Sequence, residues 1–307
     1  MSKLSYDVVI CSYNGSKYLA EQIHSITIQS ILPEKIFISD DGSTDGTIEL
    51  IQRIKSTSPI PIVFLSNLEK KGPIGNFIQA IKNSQAEYVF LSDQDDIWVD
   101  DKIENYEREL VKISSDDSNK PLLLFSDAVV IDVHKNIIHD SFLSFERNNV
   151  PFNMKNRLLV QNFVQGATVC LNQRLVQLVR YNDNIVMHDW WLALIAIFTG
   201  KIYFINKPLI MYRQHENNSV GATGYSVKRV FSKLFSLNKI IYENRKIMLQ
   251  NKAFLDEFQS MISYEDKVNI FGLIKANKKN IAWWHYLLSK NINRSTLLRT
   301  LSLFILK

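Results

Sequence analysis

Four aspartates stand within the stretch LSDQDDIWVD, residues 91–100, directly after the apolar run YVF. Carboxylates this close raise one another's pKa unless a cation or several hydrogen-bond donors neutralise them. An Asp-x-Asp pair at the end of a strand offers oxygen ligands to Mg²⁺ or Mn²⁺, which proteins usually hold together with substrate phosphates. The alternative is a solvated loop in which Asp100 caps a helix, and it accounts poorly for Asp93, Asp95 and Asp96. The stretch therefore predicts a metal site that faces a diphosphate.

A second acidic turn, DDGSTDGT, occupies residues 40–47. Asp40 or Asp41 could accept a hydrogen bond from a nucleotide base or ribose, while Ser43 or Thr44 caps the following helix. A turn followed by a helix cap would explain the same residues without a ligand. The sequence has no G-x-G-x-x-G motif after its first strand and no G-x-x-x-x-G-K-[ST] motif, which counts against a dinucleotide enzyme and an NTPase.

The elements that would position these residues alternate along the first 130 residues. Short, uniformly apolar strand patterns are separated by amphipathic helical patterns, which predicts a parallel sheet with helices on both faces. Polar segments follow each strand, and ligands of such sheets bind beyond the carboxyl ends of the strands. The aspartates therefore stand where this fold class builds its pocket. The predicted strands are 6–12, 35–39, 61–65 and 88–92.

The composition is that of an ordinary globular protein, with 46% hydrophobic and 22% charged residues among 307. Cys11 and Cys170 both lie in apolar runs, which is typical of reduced thiols in the cytoplasm, and neither has a second cysteine at zinc-ligand spacing. The chain opens without a cleavable apolar signal, and its longest nearly uncharged apolar run, WWLALIAIF, is shorter than the roughly 20 residues of a spanning helix. We therefore expect a soluble, cytoplasmic protein, with peripheral attachment to the inner face of the plasma membrane left open.

The net charge of +5 is unevenly distributed along the chain. Residues 226–307 contain 15 Lys and Arg and 5 Asp and Glu, whereas the remainder contains 21 and 26, so the two parts carry +10 and −5. Basic segments bind phosphate, either on nucleic acid or on anionic lipid. The stretch IAWWHYLLSKNINRSTLLRTLSLFILK also mixes aromatics, leucines and cations as an interfacial helix does. Three roles of this region remain open: it could contact an anionic membrane, form an ordinary helical subdomain or form a homodimer interface.

Three motifs together resemble those of family 2 glycosyltransferases with the GT-A fold. VVICSYNGSKYLAEQIHSITIQS, SDDGSTDGT and FLSDQDD occur in the family's order and near its spacings, within residues 5–215. Within the family, MHDWWLAL and MYRQHENNSVGA are most similar to bacterial rhamnosyltransferases of cell-surface polysaccharide assembly. The resemblance implies an α/β, Rossmann-like GT-A domain at 1–225, with a mostly parallel central sheet flanked by helices. We expect residues 226–307 to form a basic helical extension.

The resemblance assigns a nucleotide-sugar pocket to the loops that follow the strands. Ser12, Tyr13 and Asn14 match the loop lining the nucleotide pocket after the first strand. Asp41 matches the aspartate that contacts the nucleotide base. Asp93 matches the first residue of the Asp-x-Asp pair, which faces the ribose.

The rest of the acidic stretch matches the metal and sugar positions. Asp95 is the position that holds Mn²⁺ or Mg²⁺, and Asp96 is oriented toward the donor sugar. Gln94 replaces the usual short residue between the paired aspartates and leaves the metal position intact. Arg213 could hold a phosphate oxygen. His215 could be a further metal or diphosphate ligand, although a lone histidine in a loop is more often a hydrogen-bonded surface residue.

The acceptor side is assigned to two later stretches. Asp189 matches the family's general base, which removes the proton of the acceptor hydroxyl on the face opposite the leaving diphosphate. Trp190 and Trp191 would desolvate this carboxylate, raise its pKa and stack on apolar sugar faces. A helix cap with two core tryptophans would explain the same residues. Gln165 and Gly166 match the stretch before the acceptor-side strand, where glycine permits close backbone approach.

The sequence therefore predicts a metal-dependent, inverting glycosyltransferase that moves L-rhamnose from dTDP-L-rhamnose to a lipid-linked or polysaccharide acceptor. Another nucleotide sugar, such as UDP-glucose or UDP-galactose, is the alternative donor. A glycosidase also pairs carboxylates but does not need the nucleotide-pocket motifs. A nucleic-acid-binding protein would use the basic tail, but its acidic body would repel phosphate, so nucleic acid is not an expected partner.

Overall fold

The computed structural model describes residues 4–67, 71–216, 237–276 and 280–305, which form two compact units. The first unit comprises 1–142, 164–181 and 200–221, and the second comprises 143–163, 182–199 and 222–307. The predicted domain boundary between 225 and 226 lies outside the described residues.

One mixed sheet forms the centre of the first unit, and it has nine strands in the described part of the chain. These are β1 (Tyr6–Ser12), β2 (Ile36–Asp40), β3 (Ile62–Ser66), β4 (Tyr88–Asp93), β5 (Ile97–Trp98), β6 (Leu122–Ile131), β7 (Ile137–His139), β8 (Cys170–Asn172) and β9 (Lys201–Arg213). Their order is β3-β2-β1-β4-β8-β6-β9-β5, with β7 paired to β6. Strands β1 to β4 are parallel to one another. Strand β8 is antiparallel to both β4 and β6, so β6 runs in the same direction as β4. Strand β9 is parallel to β6 and therefore shares this direction. The sheet is therefore mostly parallel, as the sequence predicts.

The carboxyl ends of the first four strands finish at one level. Cys11 is paired with Asp93 on one side and with Ser39 on the other. Asp40, at the end of β2, is paired with Ser12 and with Ser66. Because β1, β2 and β4 are almost entirely buried, the loops that follow these three strands are fixed relative to one another at this edge.

Helices connect the strands of the first unit and cover the sheet. They are α1 (Leu19–Thr27), α2 (Thr47–Thr57), α3 (Gly72–Ala80), α4 (Lys102–Lys112), α5 (Ser115–Ser118) and α8 (Gln173–Leu178). A 3₁₀ turn, Gly166–Thr168, leads into β8.

The second unit is helical in the described residues. Its helices are α6 (Phe142–Phe145), α7 (Met154–Leu158), α9 (His188–Thr199), α10 (Leu237–Phe258), α11 (Tyr264–Ala276), α12 (Asn280–Ser289) and α13 (Leu297–Leu301). Helix α9 is buried at almost every position, the pattern of a core helix. The Asn251 amide donates to the Leu159 carbonyl at 2.8 Å, which ties an earlier segment of the chain to α10. No described helix is both long enough and apolar enough to span a membrane.

Candidate functional site

The loop after β1 is joined to the loop after β2 by Asn14. This residue has a positive φ of 51°, a conformation that asparagine adopts more readily than most residues. Its backbone N–H donates to Ser43 Oγ at 2.8 Å, and its side-chain oxygen accepts from the Thr44 N–H at 2.9 Å. Asn14 therefore fixes the two loops to which the sequence assigns the nucleotide.

Gln94 holds the same loop from the other side. Its carboxamide accepts from the Tyr13 N–H at 2.9 Å and donates to the Tyr13 carbonyl at 3.1 Å, while the Tyr13 ring is 45% exposed. A Cβ atom at position 15 would overlap this carboxamide, so glycine at position 15 lets Gln94 keep both hydrogen bonds to Tyr13. Gly15 cannot be recognised from local sequence, because the contact depends on the length of a side chain that is distant in sequence.

The two aspartates of the second turn have different partners. Asp40 accepts from the Ser12 hydroxyl at 2.7 Å, from the Ser43 N–H at 2.8 Å and from the Ser43 hydroxyl at 2.6 Å. These bonds make Asp40 the residue that forms the turn. Asp41 accepts from the backbone N–H groups of Lys71 at 2.7 Å and Gly72 at 2.8 Å, where α3 begins. The base contact predicted for Asp41 stays a prediction.

The acidic cluster after β4 contains a close carboxylate–imidazole pair. Asp95 Oδ2 lies 2.8 Å from His215 Nε2, and their side chains are 13% and 11% exposed. No group of three potential metal ligands was found among the described His, Cys, Asp and Glu side chains. A carboxylate and an imidazole nevertheless fit Mn²⁺, which accepts oxygen and nitrogen ligands and leaves the other positions to phosphates and water. The donor set of this pair is thus compatible with the predicted cation.

Asp96 is enclosed beside this pair. It is 1% exposed, and one carboxylate oxygen accepts from the Arg213 N–H at 3.1 Å. The other oxygen has no hydrogen-bond partner among the described residues. Burial raises the pKa of Asp96 well above its usual value, and the nearby carboxylates of Asp95 and Asp93 raise it further. A buried polar atom without a partner is a feature expected where a ligand supplies one.

The structure gives Arg213 a different role from the predicted phosphate contact. Its side chain is 2% exposed, and Nη2 lies 2.5 Å from Glu21 Oε2. Nε donates to the Asp95 carbonyl at 2.9 Å, and Nη1 donates to the Val133 carbonyl at 3.5 Å. The guanidinium is therefore engaged within the protein and is not available to a diphosphate.

The predicted acceptor-side turn is held by two residues of α4. The buried Lys102 ammonium donates to the Ala167 carbonyl at 3.2 Å and lies 3.8 Å from the centre of the Trp98 ring. Burial lowers the pKa of Lys102 to about 7. The Tyr106 hydroxyl donates to the Thr168 carbonyl. These two residues were not predicted, because a lysine in an amphipathic helix is normally solvated.

Gln165 stands at the start of the same turn. Its carbonyl accepts from the Thr168 N–H at 3.0 Å, and both atoms of its side-chain amide are buried without a partner in the described part of the chain. The following Gly166 is buried. The acceptor-side role of these two residues stays a prediction.

In the second unit, Asp189 lies in the first turn of α9. It is 6% exposed, and one carboxylate oxygen accepts from the Trp190 N–H at 2.7 Å. Its neighbour His188 is buried, which lowers the pKa of that imidazole to about 3 and keeps it neutral. Asp189 is therefore a shielded carboxylate at a helix start, and its role as a base stays a prediction.

The two tryptophans of this helix correct the sequence analysis. Trp191 is fully buried, and its ring centre is 6.0 Å from those of Phe254 and Phe258. Trp190 is 6% exposed, and its Nε1 donates to the Leu158 carbonyl at 2.6 Å. Both side chains are therefore buried in the core of the second unit, and this burial gives no support to the sugar stacking predicted for them.

Comparison with known proteins identifies the family and the fold of this chain. The family described as Glycosyl transferase family 2 matches residues 7–116. A dTDP-rhamnosyl transferase, RfbG of Shigella flexneri, is 30% identical over 266 residues, which cover 81% of this chain and 86% of the relative.

Two solved structures share the fold at low sequence identity. S. aureus TarS 1–349 in complex with UDP-GlcNAc has a TM-score of 0.56 and 14% identity, with 94% of this chain and 88% of that chain covered. The mannosyltransferase PcManGT from Pyrobaculum calidifontis, in complex with GDP-Man and Mn²⁺, has a TM-score of 0.52 and 15% identity, with 95% and 87% covered. The predicted GT-A fold is confirmed. Because the Shigella relative is 30% identical over most of both chains and the family matches residues 7–116, the protein belongs to glycosyl transferase family 2 and is a glycosyltransferase.

Proposed function

We propose that this enzyme transfers L-rhamnose from dTDP-L-rhamnose, with inversion, to a lipid-linked or polysaccharide acceptor. The donor rests on similarity to the dTDP-rhamnosyl transferase of Shigella flexneri. The observation that carries the mechanism is the pair formed by Asp95 and His215. Asp95 lies in the loop after β4, and Gln94 of the same loop is hydrogen-bonded to Tyr13 in the loop after β1.

Asp95 and His215 would hold Mn²⁺ or Mg²⁺. A divalent cation there offsets the charge that develops on the diphosphate as it leaves. Ser12, Tyr13 and Asn14 line the nucleotide side of the proposed pocket. The tie that Asn14 makes to the second loop keeps this side in one conformation before the donor arrives.

Other residues complete the donor site. Asp41 and Asp93 contact the base and the ribose, and Gln94 supports the nucleotide loop through its bonds to Tyr13. The buried Asp96 oxygen without a partner is directed to a donor hydroxyl, because a hydroxyl would satisfy it.

Asp189 would act as the general base on the acceptor. An ionised Asp189 oxygen takes the proton of the acceptor hydroxyl while the hydroxyl oxygen attacks the anomeric carbon and the diphosphate leaves from the opposite face. The near-complete burial of Asp189 excludes water that would compete for this proton. Gln165 and Gly166 would position the acceptor.

The donor is tested with the full chain and Mn²⁺ against dTDP-L-rhamnose, UDP-glucose and UDP-galactose, with sugar release as the measurement. We expect the fastest release from dTDP-L-rhamnose. Preferred release from either UDP sugar would assign the alternative donor, and release from none would contradict the proposal.

The division of roles is tested with Asp95→Ala and Asp189→Asn. Both should reduce transfer, the latter by about 10²–10⁴-fold. Only Asp95→Ala should weaken Mn²⁺-dependent binding of dTDP in calorimetry. Asp116→Asn, at an exposed position of α5, serves as the control and should change neither quantity. Equal nucleotide binding by the two site variants would refute the assignment.

We propose further that the second unit contacts an anionic membrane surface on the cytoplasmic side. Tyr264, Val268 and Phe271 follow helical spacing on α11 and are all exposed, at 81%, 48% and 57%. Residues 226–307 carry a net charge of +10, which is complementary to anionic lipid headgroups. Pairing with a second copy of the chain is the alternative occupant of this surface.

A further inference from the structure

Arg213, the last residue of β9, connects three other segments of the first unit. Through Glu21 it reaches α1, through the Val133 carbonyl it reaches the loop after β6, and through the Asp95 carbonyl it reaches the acidic loop. Its own backbone N–H donates to the Asp96 carboxylate at 3.1 Å. One residue thus holds two consecutive positions of the acidic loop by independent hydrogen bonds.

The charge of Arg213 is balanced inside this network. Its guanidinium is almost fully buried, which costs free energy unless the charge is paired. Glu21 supplies the counter-charge with one oxygen at 2.5 Å, and its other oxygen accepts from Lys135 at 2.8 Å. A buried ion pair contributes little net stability compared with apolar packing, so stability alone does not account for this pair.

The same network extends to the predicted metal ligands. His215 lies two residues after Arg213 and contacts Asp95 at 2.8 Å. The Tyr18 ring, directly before α1, lies 4.8 Å from the Arg213 guanidinium carbon and 5.0 Å from the His215 ring. The start of α1 therefore contacts both ends of the Arg213–His215 segment. Glu21 and Tyr18 contact Arg213, and Tyr18 also contacts His215.

We infer that Arg213 is a positioning residue for the cation. With Glu21 and Tyr18 as its supports, it sets the orientation of Asp95 and His215 toward each other and touches neither the nucleotide nor the sugar. This inference rests on the proposed metal site, and it replaces the phosphate contact predicted from the sequence.

The test measures Mn²⁺ affinity of the full chain in the presence of saturating dTDP, by the electron paramagnetic resonance signal of free Mn²⁺. Arg213→Met and Glu21→Gln should each weaken Mn²⁺ binding by roughly ten- to a hundredfold, the usual effect of losing a group that orients a ligand. Arg213→Lys should restore part of the affinity, since lysine supplies the charge but not the planar fork.

A matched control comes from the second unit. Arg299 forms a half-buried ion pair with Glu146 at 3.3 Å, so Arg299→Met removes a comparable pair. It should leave Mn²⁺ affinity unchanged. Thermal unfolding of each variant identifies any that fail to fold. If Arg213→Met is unfolded, Glu21→Gln carries the test, because its side chain is 37% exposed and can be changed without creating a cavity.

The outcomes separate this inference from the proposed function. Unchanged Mn²⁺ affinity in folded Arg213→Met and Glu21→Gln would overturn the positioning role. A wild-type chain that binds no Mn²⁺ would overturn it together with the metal site. A chain that binds Mn²⁺ and responds to both substitutions, yet releases sugar from no nucleotide donor, would retain the positioning role and reject the proposed rhamnosyl transfer.

Discussion

At the scale of single residues, the shape of the nucleotide loop depends on a missing Cβ atom. The Gln94 carboxamide reproduces the hydrogen bonds of a neighbouring strand by both donating to and accepting from the backbone of Tyr13. It occupies the volume in which a side chain at position 15 would begin. The longer residue between the paired aspartates is therefore accommodated by a glycine on the facing loop.

Gly15→Ala should destabilise the protein by about 1–3 kcal/mol, because the new methyl group overlaps the Gln94 carboxamide. In a Gln94→Ala background the same substitution should cost much less, since the obstructing atoms are gone. Urea unfolding of the two single variants and the double variant measures this coupling. Strictly additive losses would show that the two residues do not interact.

Lys102 predicts a pH dependence. Its pKa is about 7 in the folded chain, below the usual value of about 10.4. Between these two pH values the unfolded chain binds a proton that the folded chain does not, so stability rises with pH, by at most about 1.4 kcal/mol per pH unit. Below pH 7 the lysine is protonated in both states, and this dependence disappears.

The comparison is wild type against Lys102→Met, with urea unfolding followed from about pH 6 to about pH 10. Relative to the variant, wild type should gain stability across the upper part of this range. Parallel curves would show that the Lys102 pKa is not lowered. Because other groups titrate in both chains, only the difference between the curves is informative.

How far the sequence predicts individual residues depends on where their partners lie. The acidic pair was recognisable because Asp93 and Asp95 are only two positions apart and stand at the end of a strand. The role of Arg213 was not, because its counter-charge, Glu21, is 192 positions away. Trp191 was placed with the acceptor because sequence alone does not distinguish an aromatic residue at a site from one in a core.

At the scale of elements, the first four strands of the sheet were predictable and the antiparallel pairings of β8 were not. Uniform apolar runs gave β1 with its observed bounds and placed β2, β3 and β4 within one residue at each end. Strand β8 has only three residues, and its pairing with β4 and β6 joins positions far apart in sequence. Local periodicity carries no information about such pairings.

The start of α3 connects this element to the nucleotide site. Asp41→Ala removes the acceptor of two backbone N–H groups there and should reduce stability by about 0.5–2 kcal/mol, the range for losing a helix cap. If Asp41 also contacts the base, the variant should bind dTDP more weakly. Unfolding experiments and calorimetry measure the two effects separately.

Thr296→Ala provides the matched control for Asp41. The Thr296 hydroxyl caps α13 by accepting from the Arg299 N–H at 3.2 Å, so its loss should cost similar stability. Nucleotide binding should stay unchanged in this variant. An Asp41→Ala protein with wild-type nucleotide affinity would assign Asp41 to the loop structure alone.

At the scale of the whole molecule, the chain leaves the sheet-containing unit and returns to it twice. Segments 143–163 and 182–199 belong to the same unit as the C-terminal helices. The sequence did not predict this, because α9 is apolar on all sides and therefore shows no preferred face. Family membership favours a transferase over the glycosidase and nucleic-acid-binding alternatives.

The membrane proposal predicts binding of the full chain to vesicles that contain phosphatidylglycerol, and weaker binding to vesicles of phosphatidylcholine alone. Raising the salt from about 0.1 M to about 1 M should reduce binding, because the Debye length falls from about 10 Å to about 3 Å. Replacing Tyr264 and Phe271 together by serine should weaken binding at least about tenfold, which corresponds to about 1.4 kcal/mol of lost apolar insertion.

The control for this surface lies on β7 of the first unit. Ile137 and Ile138 are also exposed, at 63% and 44%, so replacing both by serine removes comparable apolar area from outside the basic region. That variant should bind vesicles as wild type does. Analytical ultracentrifugation of the same proteins tests the alternative occupant. If the Tyr264 and Phe271 substitutions dissociate a dimer and leave vesicle binding unchanged, the exposed face of α11 pairs two copies of the chain and does not contact lipid.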